Sequence, residues 1–248
     1  MKKVKIAFFD FTSCEGCQIE LTNLGEDVFM DLLDFVEFVE FREAMSERAT
    51  AIDIAFIEGS FSRESDLARL EDIRNRSAVV VAYGSCATIG GINALKNHQT
   101  DCGDFVYGPA ACMPHLDSQL ARPIADAIKV DYNIHGCPIS KAEFVRIVSD
   151  LLHGKTPFIP NYAVCVECKM RETVCRYALG DHCLGPLARA GCNAPCPADG
   201  VPCEACRGFI DRPNLPALEK GLQAKGGLSA ERAATKTRMW TALYRSEA

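Results

Sequence analysis

A doubly wound parallel α/β sheet followed by an irregular, cysteine-rich part is the fold this sequence predicts. Two observations carry the expectation. Through residues 1–155, short apolar, β-branched runs alternate with stretches of helical spacing, the pattern of parallel strands covered by helices on both faces. Residues 156–210 lose that rhythm and crowd eight of the chain's 14 cysteines between positions 165 and 206, among many Gly and Pro.

The elements follow in order. Residues 4–9 are a continuous apolar run and read as a buried strand. Residues 14–33 place Ile19, Leu21, Leu24, Val28 and Leu32 at helical spacing. Residues 35–41 alternate apolar with charged positions, as a more exposed strand does. Runs at 52–57 and 78–83 are strands, and the polar stretch between them, 65–74, sets Leu67, Leu70 and Ile73 on one helix face. Residues 128–134 make a fifth strand. Residues 140–152 form a helix with Ser140 as N-cap and Glu143 three residues on, the capping-box spacing. The sum is a flavodoxin-like domain over 1–155. Residues 156–210 bury too little hydrocarbon to fold alone, so bound metal is the agent expected to hold them. Residues 211–248 begin with Pro213 and Pro216, turn Ala-, Lys- and Arg-rich, and read as a surface-wrapping tail with some helix.

Composition sets limits. The chain has 248 residues, 48% hydrophobic and 24% charged, ordinary values for a globular protein. Lys and Arg number 27 against 33 Asp and Glu, a net charge of −6, which disfavours nucleic acid as the main partner because phosphate binding needs a basic face. No apolar run approaches the roughly 20 residues that span a bilayer. The N-terminal Lys2, Lys3 and Lys5 lead straight into a strand, without the apolar core of a signal peptide, so a cytoplasmic location is expected. A reducing cytosol disfavours disulfides, which turns 14 cysteines into candidates for metal or catalysis.

Cys14 and Cys17 follow the first strand, Cys86 follows the strand ending near Tyr83, and Cys137 follows the last strand. All four fall at carboxyl ends of strands, the edge of an open α/β sheet where sites form. Zinc and iron–sulfur clusters both accept four sulfurs. One C-x-x-C joined by two distant single cysteines suits a bulkier cluster. A thioredoxin-like redox pair leaves Cys86 and Cys137 unexplained, and burial as small hydrophobes fits poorly with their turn-rich loops. The downstream eight, Cys165, Cys168, Cys175, Cys183, Cys192, Cys196, Cys203 and Cys206, make two sets of four, but spacing alone does not divide them. Two zinc ribbons are the competing reading. Twelve thiolates suffice for three [4Fe–4S] clusters.

The motifs Ser13-Cys14-Glu15-Gly16-Cys17, Gly84-Ser85-Cys86-Ala87, Gly136-Cys137-Pro138 and, downstream, Cys175-Arg176-Tyr177, Cys183-Leu184-Gly185-Pro186, Cys192 and Pro202-Cys203-Glu204-Ala205-Cys206 occur in one order. On them the chain resembles the small, electron-transferring subunit of [NiFe] hydrogenases of the soluble cytoplasmic type, related to the 20 kDa subunit of NADH:quinone oxidoreductase, from residue 3 to about 210. The resemblance implies a partition: Cys14, Cys17, Cys86 and Cys137 for a proximal cluster, Cys165, Cys168, Cys175 and Cys183 for a distal one, and Cys192, Cys196, Cys203 and Cys206 for a medial one. Two departures point to the soluble type. Cys165 stands where well-known periplasmic and membrane-bound relatives have His, and Cys196 stands where many relatives have Pro and a three-iron cluster.

What the resemblance implies for function is an oxidoreductase subunit with no catalytic residue of its own. Its expected partners are a hydrogenase large subunit holding the nickel–iron centre and a further electron-acceptor subunit, such as an NAD(P)- or ferredoxin-linked diaphorase. Alternatives are a quinone-reductase-type subunit, which resembles only the first domain, and a zinc-stabilised interaction module. Cys102 and Cys112 match no ligand set and read as free thiols in a Gly-rich connection. Among His98, His115, His135, His153 and His182, His135 and His182 lie near ligand cysteines and are candidates for hydrogen bonds to sulfur. No G-x-G-x-x-G or P-loop is present, so no nucleotide fold is indicated.

Overall fold

The structure, a computed structural model, describes residues 3–98, 102–108 and 117–240. Five parallel strands form the sheet: β1 (Val4–Asp10), β2 (Val36–Phe41), β3 (Ile52–Glu58), β5 (Ser77–Tyr83) and β7 (Tyr132–Ile134). Their order is β2-β1-β3-β5-β7, the flavodoxin arrangement with the strand order reversing at β1 and β3. Register pairs Ile6 with Ile54 and Phe8 with Phe56 on one face, Ala7 with Ala55 and Phe9 with Ile57 on the other. Because side chains alternate along a strand, an unbroken apolar run fills two cores at once. One holds Ile6, Phe8, Phe56 and Tyr83 under α1 (Gly16–Thr22) and α6 (Lys141–Leu152). The other holds Ala7, Phe9, Ile57 and Val80 under α3 (Asp66–Arg76) and α4 (Ser85–Ile89).

Several elements differ from the sequence reading. The single helix expected over 14–33 is two, α1 and α2 (Glu26–Phe35), broken at Gly25, whose φ of 95° no helix tolerates. The last strand shrinks to Tyr132–Ile134 because the chain ahead of it makes a 3₁₀ turn at Ile124–Asp126, with Ile124 and Ile128 packed into the second core. A small antiparallel pair, β4 (Phe61–Arg63) and β6 (Ser118–Arg122), went unread because both strands are short. A helix, α5, covers Cys102–Tyr107. Cys102 opens it, whereas Cys112 and His115 lie outside the described residues.

Beyond α6 the chain runs through α7 (Cys165–Met170), α8 (Pro195–Ala198), α9 (Leu215–Ala224) and α10 (Ala230–Arg238). A third core forms here from Val164, Leu184, Ala188, Ala194, Ala205 and Phe209 together with Leu218, Leu222 and Ala233. Much of its hydrocarbon is lent by α9, so residues after 211 do more than wrap a surface. Among the described residues, no helix is long and apolar enough to cross a membrane.

Candidate metal centres

Cys14 lies in the loop after β1, Cys17 in the first turn of α1, Cys86 in the first turn of α4, and Cys137 just past β7. The carboxyl ends of β1, β5 and β7 thus deliver four thiols to one sheet edge. The loops are tied together: Gly84 N–H donates to Ile134 O at 2.8 Å and Ser85 N–H to Gly136 O at 2.7 Å, which sets Cys86 beside Cys137. Glu15, at φ 59°, turns the C-x-x-C loop through the left-handed region. Burial first, then the Glu58 carboxylate and the Cys137 and Cys86 sulfurs, push the Cys17 thiol up. Burial, Cys137 and Cys14 push Cys86 up to about 12, and burial and Cys14 raise Cys137. The four therefore share one electrostatic neighbourhood of crowded sulfur.

A carboxylate that the sequence reading missed supports this site. Glu58, 2% exposed at the end of β3, accepts Cys17 N–H on Oε1 at 3.2 Å and Gln18 N–H on Oε2 at 3.1 Å. It caps the first turn of α1, whose N–H groups have no helical acceptor. Burial raises its carboxyl. The available signal was a charged residue closing an otherwise apolar strand. Glycines shape the cradle: a Cβ at Gly84 would stand 2.6 Å from the Cys17 sulfur, and one at Gly91 2.9 Å from that of Cys86.

In the second group, burial and then Cys183, Cys168 and Cys175 push Cys165 up to about 11. Cys165 and Cys168 lie on α7, Cys175 precedes the 3₁₀ turn Arg176–Leu179, and Tyr177 Oη donates to Cys183 O at 2.7 Å. In the third, burial raises Cys192, Cys203 and Cys206; Cys192 feels Cys196, Cys203 feels Cys183 of the second group and then Cys206 and Cys192, and Cys206 feels Cys192, Cys196 and Cys137 of the first. Backbone N–H groups of Ala194, Ala205 and Cys137 face the sulfurs of Cys192, Cys203 and Cys206. Ala194 and Ala205 reach that pose at φ 46° and 59°, the nest-like backbone that turns N–H groups toward an anion.

The groups are neighbours in a definite order. Cys206 adjoins Cys137 of the first, and Cys203 N–H lies 3.4 Å from the Cys183 sulfur of the second. The third group therefore stands between the other two. All twelve of these cysteines are free thiols. A mononuclear site draws its sulfurs to about 2.3 Å from one centre, whereas a four-iron cluster takes one thiolate per iron. Four thiols in each group, with backbone N–H groups aimed at the sulfurs of Cys183, Cys192, Cys203 and Cys206, fit such a cluster.

The two candidate histidines have oxygen partners. His135 Nδ1 lies 3.1 Å from Thr88 Oγ1, and burial with Arg189 and Arg207 nearby holds its ring down to about 3, hence neutral. His182 Nε2 lies 3.1 Å from Glu204 Oε1 and its Nδ1 3.3 Å from Asp181 Oδ1.

Comparison with known proteins agrees with this architecture. Residues 14–151 match the family described as NADH ubiquinone oxidoreductase, 20 Kd subunit. The chain is 36% identical to the sulfhydrogenase 2 subunit delta of Pyrococcus furiosus, over 87% of this chain and 90% of that protein. It is 33% identical to a vhu subunit of the F420-non-reducing hydrogenase of Methanocaldococcus jannaschii, over 91% and 88%. Among solved structures it resembles a chain of an NAD+-reducing [NiFe]-hydrogenase, at 25% identity and a TM-score of 0.56, covering 64% of this chain and 96% of that one. A [NiFeSe]-hydrogenase chain of Dm. baculatum shares the fold at 15% identity and a TM-score of 0.58, over 86% and 97%. On sequence and fold together, the chain belongs to the family of the NADH ubiquinone oxidoreductase 20 Kd subunit and, within it, to the small subunits of [NiFe] hydrogenases.

Proposed function

We propose that this small subunit carries three [4Fe–4S] clusters and relays electrons, in the cytoplasm, between the nickel–iron centre of a large subunit and an acceptor subunit. The ligands are Cys14, Cys17, Cys86 and Cys137 for the proximal cluster, Cys192, Cys196, Cys203 and Cys206 for the medial, and Cys165, Cys168, Cys175 and Cys183 for the distal. Residues 1–155 supply the first set and 156–210 the other two, and Leu218, Leu222 and Ala233 of α9 and α10 close the third core. The observation that carries the reading is the placement of twelve free thiols in three neighbouring groups, the last in sequence lying between the other two. When bound, each cluster supplies one-electron uptake and release.

The protein's share is placement and electrostatics. Glu58 fixes the turn that presents Cys17. Backbone N–H groups offset the charge on the bound sulfurs. Cys175 and Cys196 are exposed, and so is Cys14. Val166, Met170, Val174 and Leu179 lie on the segments that carry Cys165, Cys168 and Cys175 and are 48%, 79%, 62% and 59% exposed, apolar surface suited to an acceptor subunit. A quinone-reductase-type reading accounts for residues 14–151 and leaves eight downstream thiols without work. The test is composition: anaerobically purified protein is expected to hold about twelve iron and twelve sulfide per chain and to co-purify with a nickel-containing subunit. Stoichiometric zinc with little iron would overturn the cluster reading.

A further inference from the structure

Glu143 and Arg207 are an ion pair almost wholly out of solvent, their side chains 3% and 2% exposed. Arg207 Nη2 donates to Glu143 Oε1 at 2.9 Å, with Oε2 2.8 Å from the same nitrogen. Its Nε donates to Ala190 O at 2.8 Å, and its Nη1 donates to His135 O. One guanidinium thus ties together α6, the loop two residues before Cys137, and the segment two residues before Cys192, while itself following Cys206. The fit is close: a Cβ at Gly191, φ 117°, would collide with both Arg207 and Glu143. A second tie lies alongside, where the Ser85 hydroxyl, next to Cys86, donates to Cys206 O. The positive charge reaches Cys192 as well.

We infer that Arg207, braced by Glu143, is a positioning residue that seats the third thiol set against the first and sets the charge balance between them. The inference rests on the cluster reading above. Reduction adds negative charge to a bound cluster, so a buried cation nearby favours the reduced form and raises its potential, and buried charges are little screened. Glu143 offsets that cation. The other charges facing the pair are Arg146, 4.0 Å from Glu143 Oε1 and part-exposed, and Glu167, which accepts Gly191 N–H at 2.8 Å. Both remain in every variant below.

The experiment is a redox titration of the complete, anaerobically purified complex, followed by electron paramagnetic resonance and iron counts. Glu143→Gln keeps an acceptor oxygen and removes the compensating charge, so the potentials of the first and third sets are expected to rise while that of the second stays. Glu143→Gln combined with Arg207→Gln leaves no unpaired buried charge and is expected to bring those potentials back down, below the single variant. Fully loaded variants whose potentials match the wild type overturn the inference, and so does an equal shift of all three sets. If neither variant loads fully, loss of third-set iron with the others kept supports the seating role, and uniform loss overturns it. A wild-type complex without cluster signals overturns the cluster reading itself.

Discussion

A Cβ at Gly84 would stand 2.6 Å from the Cys17 sulfur, on backbone at φ 86° that L side chains rarely adopt. Gly84→Ala is therefore expected to cost the first set alone, lowering iron by about four of about twelve per chain; an iron count on the purified variant checks it. Cys196 is exposed and sits in the first turn of α8, so its removal leaves no buried void. Cys196→Ala is expected to fold and to leave the medial set with three thiolates, giving a three-iron signal by electron paramagnetic resonance of the oxidised protein. A folded, loaded variant without that signal would refute the assignment of Cys196. At this scale the sulfur donors were legible because each stands in a turn-rich motif. Glu58 was not, since its partners, the N–H groups of Cys17 and Gln18, lie about 40 positions away and meet it only once β1 and β3 are paired.

Helix α6 shows how an element can be read correctly and its chemistry misread. Ser140 caps it, Oγ accepting Glu143 N–H at 3.4 Å. The reciprocal half of a capping box would have turned Glu143 back to the Ser140 amide; its carboxylate goes to Arg207 instead. The apolar runs identified β1, β3 and β5 because these strands are buried on both faces, whereas the break between α1 and α2 depended on one glycine's backbone angle. The short edge strand β7 is held from its N-terminal side by Asp131, whose Oδ2 accepts Arg74 Nη1 at 2.6 Å and Val80 N–H at 2.8 Å. Burial opposes ionisation, but Arg74 and the Val80 amide win and hold the carboxyl below its usual range. A depressed folded-state value means that this stabilisation is present above the ordinary carboxylate pKa of about 3.9 and is lost as pH falls through the folded value. Asp131→Ala is expected to cost about 1–3 kcal/mol at neutral pH and to flatten the acid limb of the stability profile, measured by denaturant unfolding across pH.

For the molecule as a whole, large side chains dominate the two sheet cores, with no alanine among the described buried residues of the first and four among fourteen in the second, while Ala188, Ala194, Ala205 and Ala233 are four of the nine in the third. Large buried side chains contribute about 1.5–3 kcal/mol each, and alanines far less. Anaerobic chelation of the metal is therefore expected to release amide protection over residues 164–209 first, with β1, β3 and β5 staying protected; uniform loss in hydrogen exchange would contradict this. On the proposed assignment, the exposed Cys14 and Ile19 of α1, 55% exposed, are expected to lie on the face that meets the large subunit. Its interface is expected to exceed about 2,000 Å², as obligate contacts do, and the chain expressed alone to aggregate and fail to oxidise hydrogen. The spatial order of the thiol sets was not legible in their spacing, because the set that comes last in the chain adjoins both of the others. That order bears on biosynthesis. The outer two sets are complete once residue 183 has left the ribosome, while the link joining them waits for Cys203 and Cys206. On the proposed assignment, a nascent or truncated chain would hold two isolated redox ends without a conductor between them, and the circuit would close only when translation has passed its last ligand.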